Sequence, residues 1–113
     1  MSRSDRDRLA DIADAAVEIG QIVERDQTAY DADVTLRRAL ERCLEIIGEA
    51  AKSLDSTSRD AMPSIPWSDI IRLRDRLSHH YHRIDASQLW TVATSDIPNL
   101  LAAVAARLDE PNP

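Results

Sequence analysis

The sequence predicts an all-α protein, an antiparallel up-and-down bundle of four long helices, and three observations predict it. Apolar residues recur at spacings of three and four along most of the chain, the pattern of helices that bury one stripe. Only two glycines and no phenylalanine occur among 113 residues, and Ala, Leu, Ile, Arg, Asp and Glu dominate, which favours helix over strand. No internal repeat and no strand pattern stands out. The length fits one domain spanning residues 1–113.

The first helix is expected from Ser4 or Asp5 as cap to about Glu24, with Leu9, Ile12, Ala16, Ile19 and Val23 as its stripe. Gly20 inside it costs about 1 kcal/mol against alanine, which a close helix crossing there would explain. Asp26 to Asp33 is polar and reads as a connection. Leu36, Leu40, Cys43, Ile47, Ala50 and Leu54 then step by four, three, four, three, four. They are the longest periodic pattern in the chain and predict a helix over about 33–54. Ile46 and Ala51 widen its apolar face towards a further neighbour or a second subunit.

Ser53 to Pro66 breaks the pattern, with one short helical turn expected at Ser58 to Met62. Pro63 and Pro66 end that turn and introduce a third long helix from Trp67 to Leu77, lined by Ile70, Leu73 and Leu77. Asp85-Ala-Ser-Gln88 has the spacing of a capping box, so the last helix starts near Ala86. Pro98 interrupts its stripe, which predicts a kink or a break there.

The formal net charge is −6. It disfavours a protein that coats nucleic acid nonspecifically but leaves room for a local basic pocket. The single cysteine, Cys43, lies in an apolar helical pattern and reads as a buried thiol in a reducing compartment. The longest apolar run, Leu100 to Ala106, is short of the roughly 20 residues of a spanning helix. No apolar segment follows the N-terminal Met-Ser-Arg-Ser-Asp-Arg-Asp-Arg. No membrane association is expected, and the expected location is cytoplasmic.

The chemistry concentrates in Arg72-Leu-Arg-Asp-Arg-Leu-Ser-His-His-Tyr-His-Arg83, which holds all three histidines, His79, His80 and His82. Arg74 and Tyr81 lie about two helical turns apart and could share a face, whereas His79 sits about 140° round from Arg74 on an ideal helix. For Arg74 and His79 to address one phosphate, the helix must end near Ser78 to His80, or two chains must share the site. Such a set suits RNA cleavage. Histidine can take or give a proton near neutrality, worth about 10²–10⁴-fold in rate. Arginine offers a permanently charged fork to phosphate oxygens. Arg72, Arg76 and Arg83 read as surface groups, His82 as surface, and His80 as either a second proton-transfer group or a bystander. No cysteine lies near the histidines and their spacing is not that of a closed zinc site, so no metal and no cofactor is expected. Trp67 and Trp90 read as core, and Tyr30 as a packing residue at a helix end.

Arg74-Asp-Arg-Leu-Ser-His79-His-Tyr81 fits the motif R-x4-H-x-Y and resembles the HepT-like ribonucleases of the HEPN superfamily. These are the toxin half of type VII HEPN/MNT toxin–antitoxin pairs. Arg38 to Lys52 resembles that family's second-helix segment, Ile65 to Ile71 the segment entering the motif, and Leu89-Trp90 with Asp96 to Leu100 its last helix. The resemblance implies a HEPN bundle that homodimerises, placing two motifs around one cleft. It implies metal-independent cleavage of RNA, whether tRNA or mRNA, with Arg74 and His79 as the catalytic pair. It implies that a cognate MNT-type nucleotidyltransferase antitoxin attaches AMP to Tyr81, putting a bulky anion beside the cations that would hold RNA. Two positions depart from the pattern. Asp75 stands where Asn is frequent, and could orient His79 or raise its pKa. His80 stands where Asp is frequent, adding a proton donor. An alternative function is a non-catalytic helical dimer that binds and regulates a nucleotidyltransferase.

Overall fold

The structure is a computed structural model and describes residues 1–79 and 84–111. Its helices are α1 (Arg3–Val23), α2 (Asp26–Ala32), α3 (Val34–Ser53), α4 (Ser56–Asp60), α5 (Trp67–Ser78), α6 (Ala86–Thr91) and α7 (Ile97–Asp109), with a π-helical turn at Val92–Asp96 joining the last two. There is no strand among the described residues. The all-α bundle is therefore as the periodicity predicts: α1, α3, α5 and the continuous α6–α7 helix are its four long members.

α3 packs against both α1 and α5, and α7 packs against α1. The predicted stripes supply the core. Leu9, Ile12, Ala16 and Ile19 of α1 are buried, as are Leu40, Cys43, Ile47 and Ala50 of α3. Leu44 and Ala51 join them, because α3 is covered on two sides. α5 has only Trp67 fully buried; Ile70, Leu73 and Leu77 are half-buried.

Three details differ from the sequence expectation. Ser2, not Ser4 or Asp5, caps α1 by accepting a hydrogen bond from the Asp5 amide at 3.1 Å. Asp5 is instead buried, and its carboxylate accepts from the Ser58 hydroxyl at 2.5 Å and the Asp55 amide at 3.3 Å. It thereby ties the start of α1 to α4, which falls at Ser56–Asp60 rather than at Ser58 to Met62. The polar run after α1 is helical, not a plain connection. Asp26 turns the chain through a left-handed φ of 67°, tolerable because its side chain accepts from the Ala29 amide. The resulting α2 sends Tyr30 into the core, where its hydroxyl donates to the Ala86 carbonyl at 2.9 Å and its ring lies 4.9 Å from that of Trp90.

The irregularity expected near Pro98 is present. It takes the form of the π-helical turn just before the proline, in which the Ile97 amide donates to the carbonyl of Val92 five residues back. Proline lacks an N–H and crowds the carbonyl four residues earlier; widening the turn relieves both without ending the helix. The continuous helix Ala86–Asp109 is long and apolar enough to cross a membrane by length and composition. Its Leu89, Ala93, Ile97, Leu100 and Val104 are buried inside the bundle. At its start Asp85 caps as expected, but through Ser87 rather than Gln88. Its carboxylate accepts from the Ser87 amide and hydroxyl, which holds its pKa below the ordinary carboxylate value.

Candidate active site

The site is built on α5 and depends on a glycine in α3. Arg74 sits on the inner face of α5, where a long charged side chain would ordinarily be forced out by the neighbouring helix. Gly48 provides the space: a Cβ there would overlap the Cβ and Cγ of Arg74. The arginine stem therefore crosses α3 over Gly48, and its guanidinium emerges a quarter exposed. There it donates to the Asp75 carboxylate at 3.2 Å and to Glu49 at 3.4 Å. The bonds to Asp75 first, then to Glu49, push its pKa above the ordinary arginine value. Both Nη atoms retain an N–H with no partner among the described residues, so the fork can still meet an anion. The other glycine, Gly20, has nothing near its missing side chain; no close crossing occurs there.

α5 takes the first of the two arrangements that the spacing of Arg74 and His79 leaves open, a helix end. Ser78 is its last residue, and His79 follows with extended backbone (φ −105°, ψ 114°). Freed from helical geometry, the His79 ring turns back and its Nδ1 lies 2.5 Å from the Asp75 carbonyl. A helix leaves its last carbonyls without partners, and the imidazole satisfies this one. A carbonyl only accepts, so Nδ1 carries the proton. In the neutral ring Nε2 is then the basic nitrogen. His79 is exposed, which leaves Nε2 open to a ligand.

Asp75 thus joins the two motif residues. Its carboxylate engages Arg74 and its main-chain oxygen engages His79. The carboxylate was expected to act on His79; the main chain does so instead. His80 and Tyr81 lie outside the described residues, as do His82 and Arg83. Sequence reasoning missed Gly48 and Glu49. No signal in the sequence singled Gly48 out, since Gly20 sits in a similar stripe with nothing near its missing side chain.

The ribonuclease HepT-like family model matches residues 12–106 of the chain. The chain belongs to the HepT-like ribonuclease family. It is 39% identical over 102 residues to a probable ribonuclease HepT of Thermococcus cleftensis, covering 88% of this chain and 92% of that one. It is 32% identical over 93 residues to a candidate RNase of Methanocaldococcus jannaschii, covering 81% and 85% of the two chains. A longer protein of the same organism, named for both a gamma-glutamylcyclotransferase and a candidate RNase, is 32% identical over 97 residues, which is 44% of its length. No solved structure matches the chain. The family match includes Gly48, Arg74, Asp75 and His79, so the paired arrangement lies within the HepT-like region.

Proposed function

We propose that this HepT-like ribonuclease is an endoribonuclease that cuts RNA with Arg74 and His79. The observation that carries the reading is the double hold of Asp75, which sets a charged guanidinium and an imidazole with a free Nε2 on adjoining points of one helix end. In the proposed reaction Nε2 of His79 takes the proton of a ribose 2′-hydroxyl. The 2′-oxygen attacks the adjacent phosphorus, the bond to the 5′-oxygen breaks, and Arg74 offsets the charge that gathers on the phosphoryl oxygens. The leaving oxygen needs a proton, which the partner's His79 supplies if two chains share the cleft. An apolar groove of about 890 Å³, floored by Leu44, Ile47, Ile70, Leu73 and Leu100, flanks α5 and supports seating a second copy beside the motif.

The test is cleavage of RNA by purified protein in chelator, with Arg74→Ala and His79→Ala compared. Each substitution is expected to lower the rate by about 10²-fold or more, and the products to carry a 2′,3′-cyclic phosphate and a 5′-hydroxyl. Undiminished cutting by both variants would remove the site assignment.

The proposed control is a toxin–antitoxin pairing, in which a cytoplasmic MNT-type nucleotidyltransferase attaches AMP to Tyr81. It is supported by the motif resemblance alone. Co-expression with such an enzyme is expected to add AMP increments to the intact mass that disappear in Tyr81→Phe. A second reading, a non-catalytic dimer that regulates the nucleotidyltransferase, is favoured by the engagement of Arg74 with two carboxylates. Growth arrest on expression that depends on His79 decides against it.

A further inference from the structure

A second cleft, of about 500 Å³, lies between α4 and the flank of α5 that leads to the motif. Its walls include Arg59 and Arg72, its floor Trp67 and Ile71, and its far end Asp75. Trp67, Ile71 and Asp75 are spaced by four along α5, so they follow one line down it, and His79 follows just past its end. The line from Trp67 to Asp75 is about 12 Å long. The cleft therefore opens at Asp75 onto the groups that hold Arg74 and His79.

We infer that this cleft is a subsite for the RNA strand flanking the cut, with Arg59 and Arg72 each holding a backbone phosphate. The assignment rests on the endoribonuclease reading. Two features beyond position carry it. First, both cations are available. Arg59 makes no side-chain hydrogen bond or ion pair among the described residues, and Arg72 meets only Asp69 at 3.4 Å, with both side chains about 70% exposed. Such a pair contributes little and is readily exchanged for a phosphate. Secondly, the cleft is built, not incidental. The buried Trp67 donates from Nε1 to the Arg59 carbonyl at 3.1 Å, which fixes the backbone bearing Arg59 against the start of α5. Asp60, the remaining carboxylate in the wall, repels phosphate but can accept from a ribose 2′-hydroxyl, a donor that DNA lacks. In a chain of net charge −6, two arginines lining one cleft beside the motif give the strand a defined path.

The experiment measures binding of a labelled single-stranded oligoribonucleotide in the His79→Ala background, so that nothing is cut, over a range of salt. Adding Arg59→Ala and Arg72→Ala together is expected to weaken binding about tenfold and to reduce the slope of log affinity against log salt by about 1.4, for two lost phosphate contacts. Arg59→Lys with Arg72→Lys keeps the slope. If the double alanine variant fails to fold, Arg72→Gln alone, altering an exposed side chain, reduces the slope by about 0.7. An unchanged slope in the alanine or glutamine variant overturns the subsite, as does absence of RNA binding by the background protein. Failure of the ribonuclease reading appears elsewhere, as absence of cleavage when His79 is intact, and leaves the binding slopes interpretable.

Discussion

Arg74 owes its place to the absence of a side chain at Gly48. Alanine there would drive a methyl group into the Arg74 stem, and both contacts are near the backbone, where nothing flexes cheaply. Gly48→Ala is expected to cost about 1–3 kcal/mol in urea unfolding and to lower RNA cleavage with Arg74 still present. Gly20→Ala is its control. That site opens to empty space, so the change should stabilise by up to about 1 kcal/mol through helix propensity. The two glycines look alike in the sequence, and only the crossing of α5 over α3 separates them. Cys43 is a second residue with a measurable signature. Burial first, then its hydrogen bond to Glu18 at 3.4 Å, raises the thiol pKa from 9.0 to about 11. The folded state holds this proton more tightly than the unfolded one. Its contribution to stability is therefore full below pH 9 and is lost as pH rises from about 9 to about 11. Denaturation midpoints measured across that window should fall in the wild type, and the fall should be shallower in Cys43→Ala.

At the scale of elements, apolar periodicity located all four long helices, and their observed ends lie within three residues of the expected ones. The same signal did not reveal α2, because seven residues carry too little of a stripe; what makes it helical is tertiary, the anchoring of Tyr30 under α6. Nor did it reveal the use of Asp5. An aspartate in a first turn ordinarily interacts with its own helix end, but here the carboxylate turns inward to Ser58 and Asp55, which are remote in sequence. Asp5→Ala leaves that hydroxyl and amide without their acceptor, an expected loss of about 2–3 kcal/mol, to be read as a shift of the urea midpoint. In the candidate site, the end of α5 before His79 was legible from the arithmetic of a helical turn. The role of the Asp75 main chain was not, since every residue has a carbonyl and sequence carries no record of which one is left over.

Across the whole molecule, α5 packs chiefly on α3. Its residues line both flanking clefts, and only one of them is fully buried. Protection against exchange of amide hydrogens follows burial and packing. The amides of α5 should accordingly exchange faster than those of α1 and α3, through an opening that leaves the rest of the bundle closed. Uniform protection across the three helices would rule this out. By that prediction the helix that carries Arg74 and delivers His79 is more easily withdrawn than α1 or α3. Anything that fills either flanking cleft, whether an RNA strand or a protein surface, would hold it in place. The free energy needed to assemble the site would then come from binding, and an isolated chain would spend part of its time disarmed.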